Sequence, residues 1–387
     1  MKFINSKAAR LKQGAIRAMF ERAATMENVI SMGIGEPDLA TPEIVCQAAV
    51  EALQRGETHY THNAGTKRFR DAVAKHLAEK GLNYDPDREI VATNGGMGSL
   101  SLLFLVILNP GDEILIQDPQ WLNYVEQVEF CGGRAVRVPT DAAHNFEMQP
   151  EVIESLITPA TKALMINSPN NPTGYIMSME TMEKIAAIAK KHNILIISDE
   201  VYSTLVFDGA QCHSIAEVEG MKDYTVVINS FSKAFAMCGW RIGYTAGPEH
   251  IVTAMTRCQE YVNSCANSAA QAAAAAALDQ HMDESDKLRE IFAKRRAVLL
   301  KGLSEIEGLK FEDPQGTFYA FVDVSSFGMT SKEFCDKLLD EEQVICIPGS
   351  AFGQCGEGYI RIAYTCDEET IKQAVVRIKR FCEGLKK

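Results

Sequence analysis

The sequence predicts an α/β fold in which a large domain, with a mostly parallel sheet covered by helices on both faces, is joined to a smaller α+β domain. The middle of the chain alternates short apolar stretches with longer amphipathic ones, as strands alternate with helices. The short stretches have no polar face, which is typical of parallel strands buried between two helical layers. The chain has 387 residues, which is more than one hydrophobic core usually serves.

In chain order, the large domain is predicted to contain a series of strands separated by helices. The predicted strands are Glu89–Thr93, Glu113–Gln117, Arg134–Val138, Lys162–Ile166, Ile194–Ser198 and Thr225–Asn229. One helix is predicted from Met97 to Leu108, where Asn109-Pro110-Gly111 ends it, and another from about Trp121 to Phe130. Ser178 is placed to cap a further helix that runs to about His192.

The two ends of the chain follow a different pattern. Thr41 followed by Pro42 predicts a helix with Thr41 as its cap residue and proline at the first helical position. The C-terminal part is predicted to contain a long helix from about Asp283, strands at Phe318–Val324, Val344–Ile347 and Tyr359–Tyr364, and a last helix from Asp367. We therefore expect residues 42–282 to form the large domain, and residues 1–41 with 283–387 to form the smaller one.

Composition limits the classes of function. The formal net charge of -12 argues against binding to nucleic acid or acidic membranes, although a local cluster of cations can still hold a small anion. The 11 cysteines contain no CxxC pair and no metal-ligand spacing, so we expect free thiols in a reducing compartment and no metal site. Met1–Phe20 lacks the apolar run of a signal peptide, and no stretch is long enough to span a bilayer. These features predict a cytoplasmic protein.

Two loops combine small residues with cations in a way that suits a phosphate group. Asn94-Gly95-Gly96-Met97-Gly98 follows a strand and opens a helix, where backbone N–H groups are exposed, although a tight turn would use the same glycines. Ser230-Phe231-Ser232-Lys233 follows another strand, and Arg241 comes soon after it. A lysine at such a place is often a surface residue, but the hydroxyls and aromatic rings around this amine favour Schiff-base chemistry.

Polar residues also follow the other strands, at the sheet edge where open α/β sheets bind ligands. Asp199 is either a helix cap or a carboxylate aimed at a cationic ring nitrogen, with Tyr202 beside it. Asn171 lies in a turn whose composition alone would explain it. Trp121 has packing as its ordinary role. Arg361 lies between apolar residues and needs a carboxylate partner, from the protein or from a substrate.

Taken in order and together, these motifs resemble those of the fold-type I pyridoxal-phosphate enzymes, specifically the class I and II aminotransferases related to aspartate aminotransferase. The resemblance runs from about Ser31 to the C-terminal helix. Its motifs are Gly33-Ile34-Gly35-Glu36-Pro37-Asp38, Asn171-Pro172-Thr173-Gly174, Ser198-Asp199-Glu200-Val201-Tyr202, and Ser230-Phe231-Ser232-Lys233 with Arg241. The first matches the substrate loop of the family, and the others are the most specific.

The resemblance implies pyridoxal 5'-phosphate as the cofactor and a role for each matching residue. Lys233 resembles the lysine that forms the Schiff base and later carries a proton between substrate and cofactor. Asp199 is similar to the carboxylate that keeps the ring nitrogen protonated, which makes the ring an electron sink. Asn171 and Tyr202 are similar to the pair that binds the ring's phenolic oxygen. The other implied cofactor contacts are the stacking residue Trp121 and the phosphate contacts Gly96, Met97, Ser230 and Arg241.

For the substrate, the resemblance implies a grip on the α-carboxylate. Arg361 resembles the arginine that binds this group, with Gly35, Asn171 and Trp121 also in contact with substrate. Relatives specific for dicarboxylates place a second cation near the distal carboxylate, and the sequence departs from that pattern because Tyr261–Gln271 contains no arginine. The expected donors are therefore aspartate, aromatic amino acids or similar ones.

The reaction implied is transfer of the amino group of an L-amino acid to a 2-oxo acid such as 2-oxoglutarate. Tyr60, in His59-Tyr60-Thr61, is similar to the tyrosine that reaches the phosphate from the partner subunit, so a homodimer with shared sites is expected. One alternative is a carbon–sulfur β-lyase on the same fold, which would share Lys233, Asp199 and Arg361. A non-catalytic effector sensor is disfavoured, because the short N-terminal segment leaves no room for a DNA-binding module.

Overall fold

The computed structural model describes residues 3–5, 8–10, 14–279 and 282–385. Residues 1–2, 6–7, 11–13 and 386–387 of the predicted smaller domain, and residues 280–281 of the larger one, lie outside the described residues. Within the described part, the helices are α1 (Ala15–Ala23), α2 (Glu43–Gln54), α3 (Lys67–Glu79), α4 (Gly95–Ile107), α5 (Asn123–Phe130), α6 (Pro150–Leu156), α7 (Met179–His192), α8 (Phe231–Ala234), α9 (Glu249–Val262), α10 (Ser268–Asp279), α11 (Asp283–Ser304), α12 (Ser331–Glu342) and α13 (Glu368–Gly384).

The strands alternate with these helices through the middle of the chain. They are β1 (Ile30–Ser31), β2 (Ile90–Thr93), β3 (Glu113–Asp118), β4 (Arg134–Pro139), β5 (Thr161–Asn167), β6 (Leu195–Asp199), β7 (Thr225–Ser230), β8 (Gly243–Ala246), β9 (Tyr319–Asp323), β10 (Val344–Ile345), β11 (Ile347–Pro348) and β12 (Tyr359–Ala363). Over the ranges described, no helix is both long and apolar enough to cross a membrane.

A seven-stranded sheet forms the centre of the chain, with strand order β2-β8-β7-β6-β5-β3-β4. The strands from β7 to β4 pair in parallel. At the other edge, β8 runs antiparallel to both of its neighbours, β7 and β2. The predicted α/β fold with a mostly parallel sheet is therefore confirmed.

Alternate side chains of the central strands enter different cores, so helices cover both faces of the sheet. On β3, Ile114 and Ile116 pack in one core with Leu103 of α4, whereas Leu115 packs in another core with Ile185 of α7. All of these side chains are fully buried. Because successive strand residues point to opposite faces, a strand covered on both sides is apolar at every position. This is why continuous apolar runs predicted these strands.

Two small sheets lie outside the central one. β9, β11 and β12 form an antiparallel sheet in the order β11-β12-β9, and β1 pairs in parallel with β10. Beyond β1, the N–H of Met32 donates to the carbonyl of Ile345 at 2.9 Å. The segment that directly follows β1, residues 33–38, is thereby tied to the C-terminal part of the chain.

The predicted capping role of Thr41 is wrong. Helix α2 has Pro42 as its N-cap residue and receives no side-chain hydrogen bond there. The hydroxyl of Thr41 instead donates to the carbonyl of Ala236 at 2.8 Å and accepts from the indole Nε1 of Trp240 at 2.9 Å. A tertiary contact has taken the hydroxyl that the local pattern assigned to the helix.

Three element boundaries also differ from the prediction. The strand predicted at Val344–Ile347 is two strands, because the chain pairs first with β1 and then with β12. Strand β8 was not predicted. The helix predicted from Trp121 begins at Asn123, and the N–H of Trp121 is bound instead by the side chain of Gln120 at 2.9 Å.

Candidate active site

A cavity of about 360 Å³ lies at the edge of the central sheet where β5, β6 and β7 end. Its walls contain every predicted site residue except Tyr60, namely Gly35, Gly96, Met97, Trp121, Asn171, Asp199, Tyr202, Ser230, Lys233, Arg241 and Arg361. The parallel register places the last residues of β5 and β6, Asn167 and Asp199, side by side. The strands therefore deliver their terminal polar residues to one place.

One part of the cavity is built from a helix N-terminus, hydroxyls and a guanidinium. Helix α4 begins at Gly95, which has a φ of 73° and whose added Cβ would lie 2.8 Å from Nη2 of Arg241. Ser230 accepts a hydrogen bond from the N–H of Ser232 at 3.2 Å. Arg241 is held by donation to the carbonyl of Cys238 at 2.9 Å. Exposed N–H groups, hydroxyls and a guanidinium form a donor set that binds phosphate.

The amine of Lys233 is held inside the cavity. Its Nζ donates to the carbonyl of Gly35 at 2.6 Å and lies 3.5 Å from Sγ of Cys238. The same nitrogen lies 5.9 Å from the centre of the Phe318 ring. Because α8 starts directly after β7, the lysine projects from the first turn that follows a buried strand. It is a cavity residue and not a solvated surface lysine.

Asp199 is a buried carboxylate at the end of β6, with 4% of its surface exposed. Its Oδ2 accepts from the hydroxyl of Tyr124 at 2.7 Å, and its Oδ1 accepts from the N–H of Val201 at 3.1 Å. Burial raises the pKa of Asp199 to about 6, although these two hydrogen bonds act to lower it. The groups that offset the burial are a hydroxyl and an N–H and not a cation, so the carboxylate is suited to a cationic partner from a ligand.

Hydrogen bonds among uncharged side chains fix the neighbours of this carboxylate. The hydroxyls of Tyr202 and Tyr319 lie 3.1 Å apart, and burial raises the pKa of Tyr202 well above its usual value. Asn167 donates to the carbonyl of Asp199 at 3.0 Å and accepts from the N–H of Asn171 at 3.0 Å. Tyr202 therefore stays a hydroxyl donor, and Asn171 is held in place through its backbone.

Arg361 is a buried guanidinium on β12, with 3% of its surface exposed. Its Nη1 donates to Oδ1 of Asn171 at 2.9 Å and its Nη2 to the carbonyl of Gly33 at 2.7 Å, while Nε is buried without a hydrogen-bond partner. Its Cζ lies 4.2 Å from the ring centre of Tyr319 and 4.8 Å from that of Phe352. Burial lowers the pKa of Arg361, and the groups that raise it are tyrosine and cysteine side chains, not carboxylates. A fixed guanidinium with an unused donor suits a carboxylate from outside the chain.

The segment 33–38 forms another wall of the cavity. Only glycine fits at Gly35, because an added Cβ would lie 1.8 Å from the hydroxyl oxygen of Tyr319. At the end of the segment, Arg295 binds both carboxylate oxygens of Asp38, at 2.7 and 3.1 Å. The bidentate pair fixes this segment against α11.

Some cavity residues were not predicted from the sequence. They are Phe20, Ile34, Tyr124, Asn167, Val201 and Tyr319. Asn167 had a signal, since it directly follows the strand predicted at 162–166. Tyr124 had a weaker one, because it lies three residues after Trp121 in the same predicted helix and so on the same face. Tyr319 had none, because its strand was assigned to the other end of the chain.

Tyr60 is the predicted site residue that the structure places outside the cavity. Its side chain is 87% exposed. The loop that carries it is fixed, because the fully buried Gln271 accepts from the N–H of Thr66 at 2.6 Å and donates to the hydroxyl of Thr61 at 3.3 Å. A second fully buried glutamine, Gln259, donates to a carbonyl of the same loop. An exposed aromatic ring is thus presented on a rigid support.

The groups of the cavity fit the predicted cofactor. Pyridoxal 5'-phosphate has a phosphate, an aldehyde and a ring nitrogen. The N-terminus of α4 with Arg241 suits the phosphate, the amine of Lys233 suits the aldehyde, and the buried carboxylate of Asp199 suits a protonated ring nitrogen. The guanidinium of Arg361 is then left for the carboxylate of a substrate. Within the part of the chain described, no group of histidine, cysteine, aspartate and glutamate side chains is arranged to hold a metal ion.

Comparison with known proteins agrees with this geometry. A family model described as aminotransferase class I and II matches residues 27–378. The aromatic-amino-acid aminotransferase 2 of Thermococcus litoralis is 39% identical over 96% of each chain, and the aspartate aminotransferase of Pyrococcus abyssi is 39% identical over 94% of each. The solved structure of aspartate aminotransferase from Thermus thermophilus with maleate has a TM-score of 0.93 at 35% identity, and the match covers 98% of this chain and 100% of that one.

Proposed function

This chain belongs to the class I and II aminotransferases, enzymes that transfer amino groups, and we propose that it uses pyridoxal 5'-phosphate attached at Lys233. The amino group moves from an L-amino acid to a 2-oxo acid such as 2-oxoglutarate. The observation that carries this proposal is the meeting of three groups in one cavity: the amine of Lys233, the buried carboxylate of Asp199 and the guanidinium of Arg361 with its unused Nε.

The cofactor-binding residues follow from the donor set. Gly96 and Met97 at the start of α4, with Ser230 and Arg241, hold the phosphate, and Trp121 covers the ring. Asn171 and Tyr202 bind the phenolic oxygen, and Asp199 binds the ring nitrogen. When bound, the cofactor supplies an aldehyde that condenses with amines and a ring that withdraws electrons from the substrate's α-carbon.

The chain's own residues supply binding, orientation and proton transfer. Arg361 grips the α-carboxylate and, together with Gly35, sets the direction of the α-carbon. The Nζ of Lys233 takes the α-proton and returns it, because it is the amine that the cavity holds. Tyr202 donates its hydroxyl, and the carboxylate of Asp199 holds a proton on the atom that it faces.

The substrate side chain meets a mostly apolar part of the cavity, in which Phe20, Ile34 and Val201 are lining residues. The cations among the described lining residues, Lys233, Arg241 and Arg361, already have roles, so no cation remains for a second carboxylate. Among the relatives, one is named for aromatic amino acids and another for aspartate. We therefore propose that aromatic, apolar and acidic donors are all accepted.

Replacing Arg361 with lysine should lower kcat/KM for every donor by about 10- to 100-fold, since lysine cannot form the two-pronged bond to a carboxylate. The measurement is kcat/KM for tyrosine, phenylalanine and aspartate with 2-oxoglutarate, in wild type and in Arg361→Lys. The factor should be similar for all three donors. Arg137→Lys is the matched control, because its guanidinium donates to the carbonyl of Phe352 outside the cavity lining.

Two outcomes of this assay would contradict the assignment. If Arg361→Lys spares one class of donor, then Arg361 reads the side chain and not the shared carboxylate. If wild type uses aspartate alone, a distal cation must come from a group not assigned above. Product analysis tests the reaction itself: pyruvate and ammonia from a cysteine conjugate, without glutamate formation from 2-oxoglutarate, would indicate a β-lyase.

We propose a homodimer in which Tyr60 completes the partner's phosphate site. Large apolar side chains are exposed near the end of α9 as well as in the Tyr60 loop, with Tyr261 86% and Val262 58% exposed. Gln259 of α9 bonds to the Tyr60 loop, so these groups lie on neighbouring elements. Clustered apolar groups on a rigid surface favour association, and two-fold dimers are the commonest form.

Mixing Tyr60→Phe protein with Lys233→Ala protein should restore activity. In the hybrid dimer, one site lacks both groups and the other has Lys233 from one subunit and Tyr60 from its partner. At limiting cofactor, the mixture should exceed the sum of the two separate variants by several-fold. Subunit exchange is verified with mass-tagged chains, and Tyr60→Phe mixed with wild type gives the baseline. Complete exchange without any gain would show that the sites are not shared.

The domain division and the location of the protein are also proposals. Residues 42–282 form the cofactor-binding domain and residues 1–41 with 283–387 form the smaller one, an assignment supported by the position of the central sheet and by the pairing of β1 with β10. We propose the cytoplasm because the 11 cysteines form no disulfide.

A further inference from the structure

The carboxylate of Asp199 has a side-chain partner that the sequence motifs do not contain. The hydroxyl of Tyr124 donates to its Oδ2 at 2.7 Å, while the N–H of Val201 donates to its Oδ1 at 3.1 Å. Asp199 and Tyr124 are 4% and 1% exposed, so water does not substitute for either bond. A hydrogen bond to a charged group in such a place is worth more than one at the surface.

Tyr124 is held so that its hydroxyl can act only as a donor toward this carboxylate. It lies in the first turn of α5, and its ring meets Trp121 edge-on with the ring centres 5.1 Å apart. Burial, followed by the charge of Asp199, raises the pKa of Tyr124 well above its usual value. The hydroxyl therefore keeps its proton throughout the pH range in which Asp199 titrates.

We propose that Tyr124 is a positioning residue which keeps Asp199 in its charged form and thereby keeps the proton on the cationic ring nitrogen that Asp199 faces. This proposal rests on the proposed function, because the cofactor supplies that nitrogen. A proton between a ring nitrogen and a carboxylate has two arrangements: an ion pair, or a neutral ring beside a neutral acid. The hydroxyl of Tyr124 stabilises the first, because it bonds more strongly to a carboxylate than to a carboxylic acid.

Other ionisable groups near Asp199 do not replace Tyr124. Those that line the same cavity from other elements are Tyr202, Lys233, Arg241, Arg361 and Cys238. The hydroxyl of Tyr202 is paired with that of Tyr319, and Nζ of Lys233 is bound to the carbonyl of Gly35. The hydrogen bonds that lower the pKa of Asp199 come from Tyr124 and from the N–H of Val201. Removing the hydroxyl of Tyr124 would leave a buried carboxylate oxygen without its donor.

The first test measures the proton affinity of Asp199 in the full chain without cofactor. Carboxyl-labelled aspartate is followed by ¹³C NMR over pH, with Asp199→Asn used to assign the signal. The midpoint in wild type should be about 6. In Tyr124→Phe, which keeps the ring, the midpoint should rise by about one unit or more.

A matched control is available in Tyr84, which is also buried but whose hydroxyl has no hydrogen-bond partner. Tyr84→Phe should leave the Asp199 midpoint unchanged, and thermal unfolding of both variants shows whether either has lost its fold. If Tyr124→Phe is folded and its midpoint equals that of wild type, the proposal is wrong. This test does not depend on the cofactor, so its failure is distinct from a failure of the proposed function.

The second test uses the cofactor-loaded enzyme. With pyridoxal phosphate labelled by ¹⁵N in the ring, the wild-type signal should be that of a protonated nitrogen, and in Tyr124→Phe it should shift toward that of a neutral ring. The kcat of the amino-acid half-reaction should fall about tenfold, while cofactor affinity changes little, because the phosphate contacts are intact. A fall in kcat without any ¹⁵N shift would mean that Tyr124 acts through packing, and would overturn the proposal.

Discussion

An Asp199→Ala variant is expected to lose about 10³-fold or more in kcat while it still binds cofactor. The carboxylate is buried at the end of β6 and faces the cavity, so its removal leaves a cationic ring nitrogen without a counter-charge in a site of low polarity. The phosphate contacts of Gly96, Ser230 and Arg241 lie elsewhere in the cavity and should keep the cofactor bound. The measurement is single-turnover loss of the substrate's α-proton, together with cofactor content by absorbance.

The neighbouring carboxylate gives a sharp control. Glu200 is also buried, at 5% exposure, but it bonds to Ser198 at 2.9 Å and to Ser214 at 2.5 Å and does not line the cavity. Glu200→Gln keeps hydrogen bonding at this place and should keep kcat within a few-fold of wild type. Near-normal proton loss in Asp199→Ala, with cofactor bound, would contradict the role given to Asp199.

Lys233→Ala is expected to have the largest effect, a loss on the order of 10⁵-fold in kcat/KM. One amine is assigned both the covalent attachment of the cofactor and the movement of the α-proton, and removal of a group with two such roles disables both steps. Its Nζ is the amine found at 2.6 Å from the carbonyl of Gly35 within the cavity. The variant is measured by steady-state turnover with saturating cofactor.

Lys184 provides the comparison. It lies on the exposed side of α7, paired with Glu180 at 2.7 Å, and Lys184→Ala should leave activity unchanged. Lys233→Ala should remain folded, because its side chain contributes one backbone contact and little buried surface. Residual turnover within about tenfold of wild type would mean that another amine does the chemistry.

The sequence predicts the central sheet well because a strand covered on both faces must be apolar throughout, as β3 is. It fails where tertiary contacts override a local pattern. The hydroxyl of Thr41 has the right type for a helix cap but binds Trp240 instead. Residues 344–347 form one apolar run but divide between two sheets. The short β8 is held by its neighbours in the sheet, and its own residues carry little strand signal.

The site follows the same division. Its motif residues were predicted because they directly follow strands, where open α/β sheets gather ligand-binding groups. Tyr124 and Tyr319 were not, because a tyrosine within a helix or strand has the composition of a packing residue. Only the folded chain brings the hydroxyl of Tyr124 within 2.7 Å of Asp199, and that of Tyr319 within 3.1 Å of Tyr202. Roles that depend on a distance across the fold leave no local trace.

The place of covalent attachment tests the central claim most directly. Purified protein loaded with pyridoxal 5'-phosphate is reduced with borohydride and digested, and the modified peptide is identified by mass spectrometry. We expect the cofactor on the peptide that contains Ser230-Phe231-Ser232-Lys233, attached at Lys233, and no fixed label in Lys233→Ala. Attachment at another lysine, or label that persists in Lys233→Ala, would contradict the assignment of Lys233 and with it the proposed site.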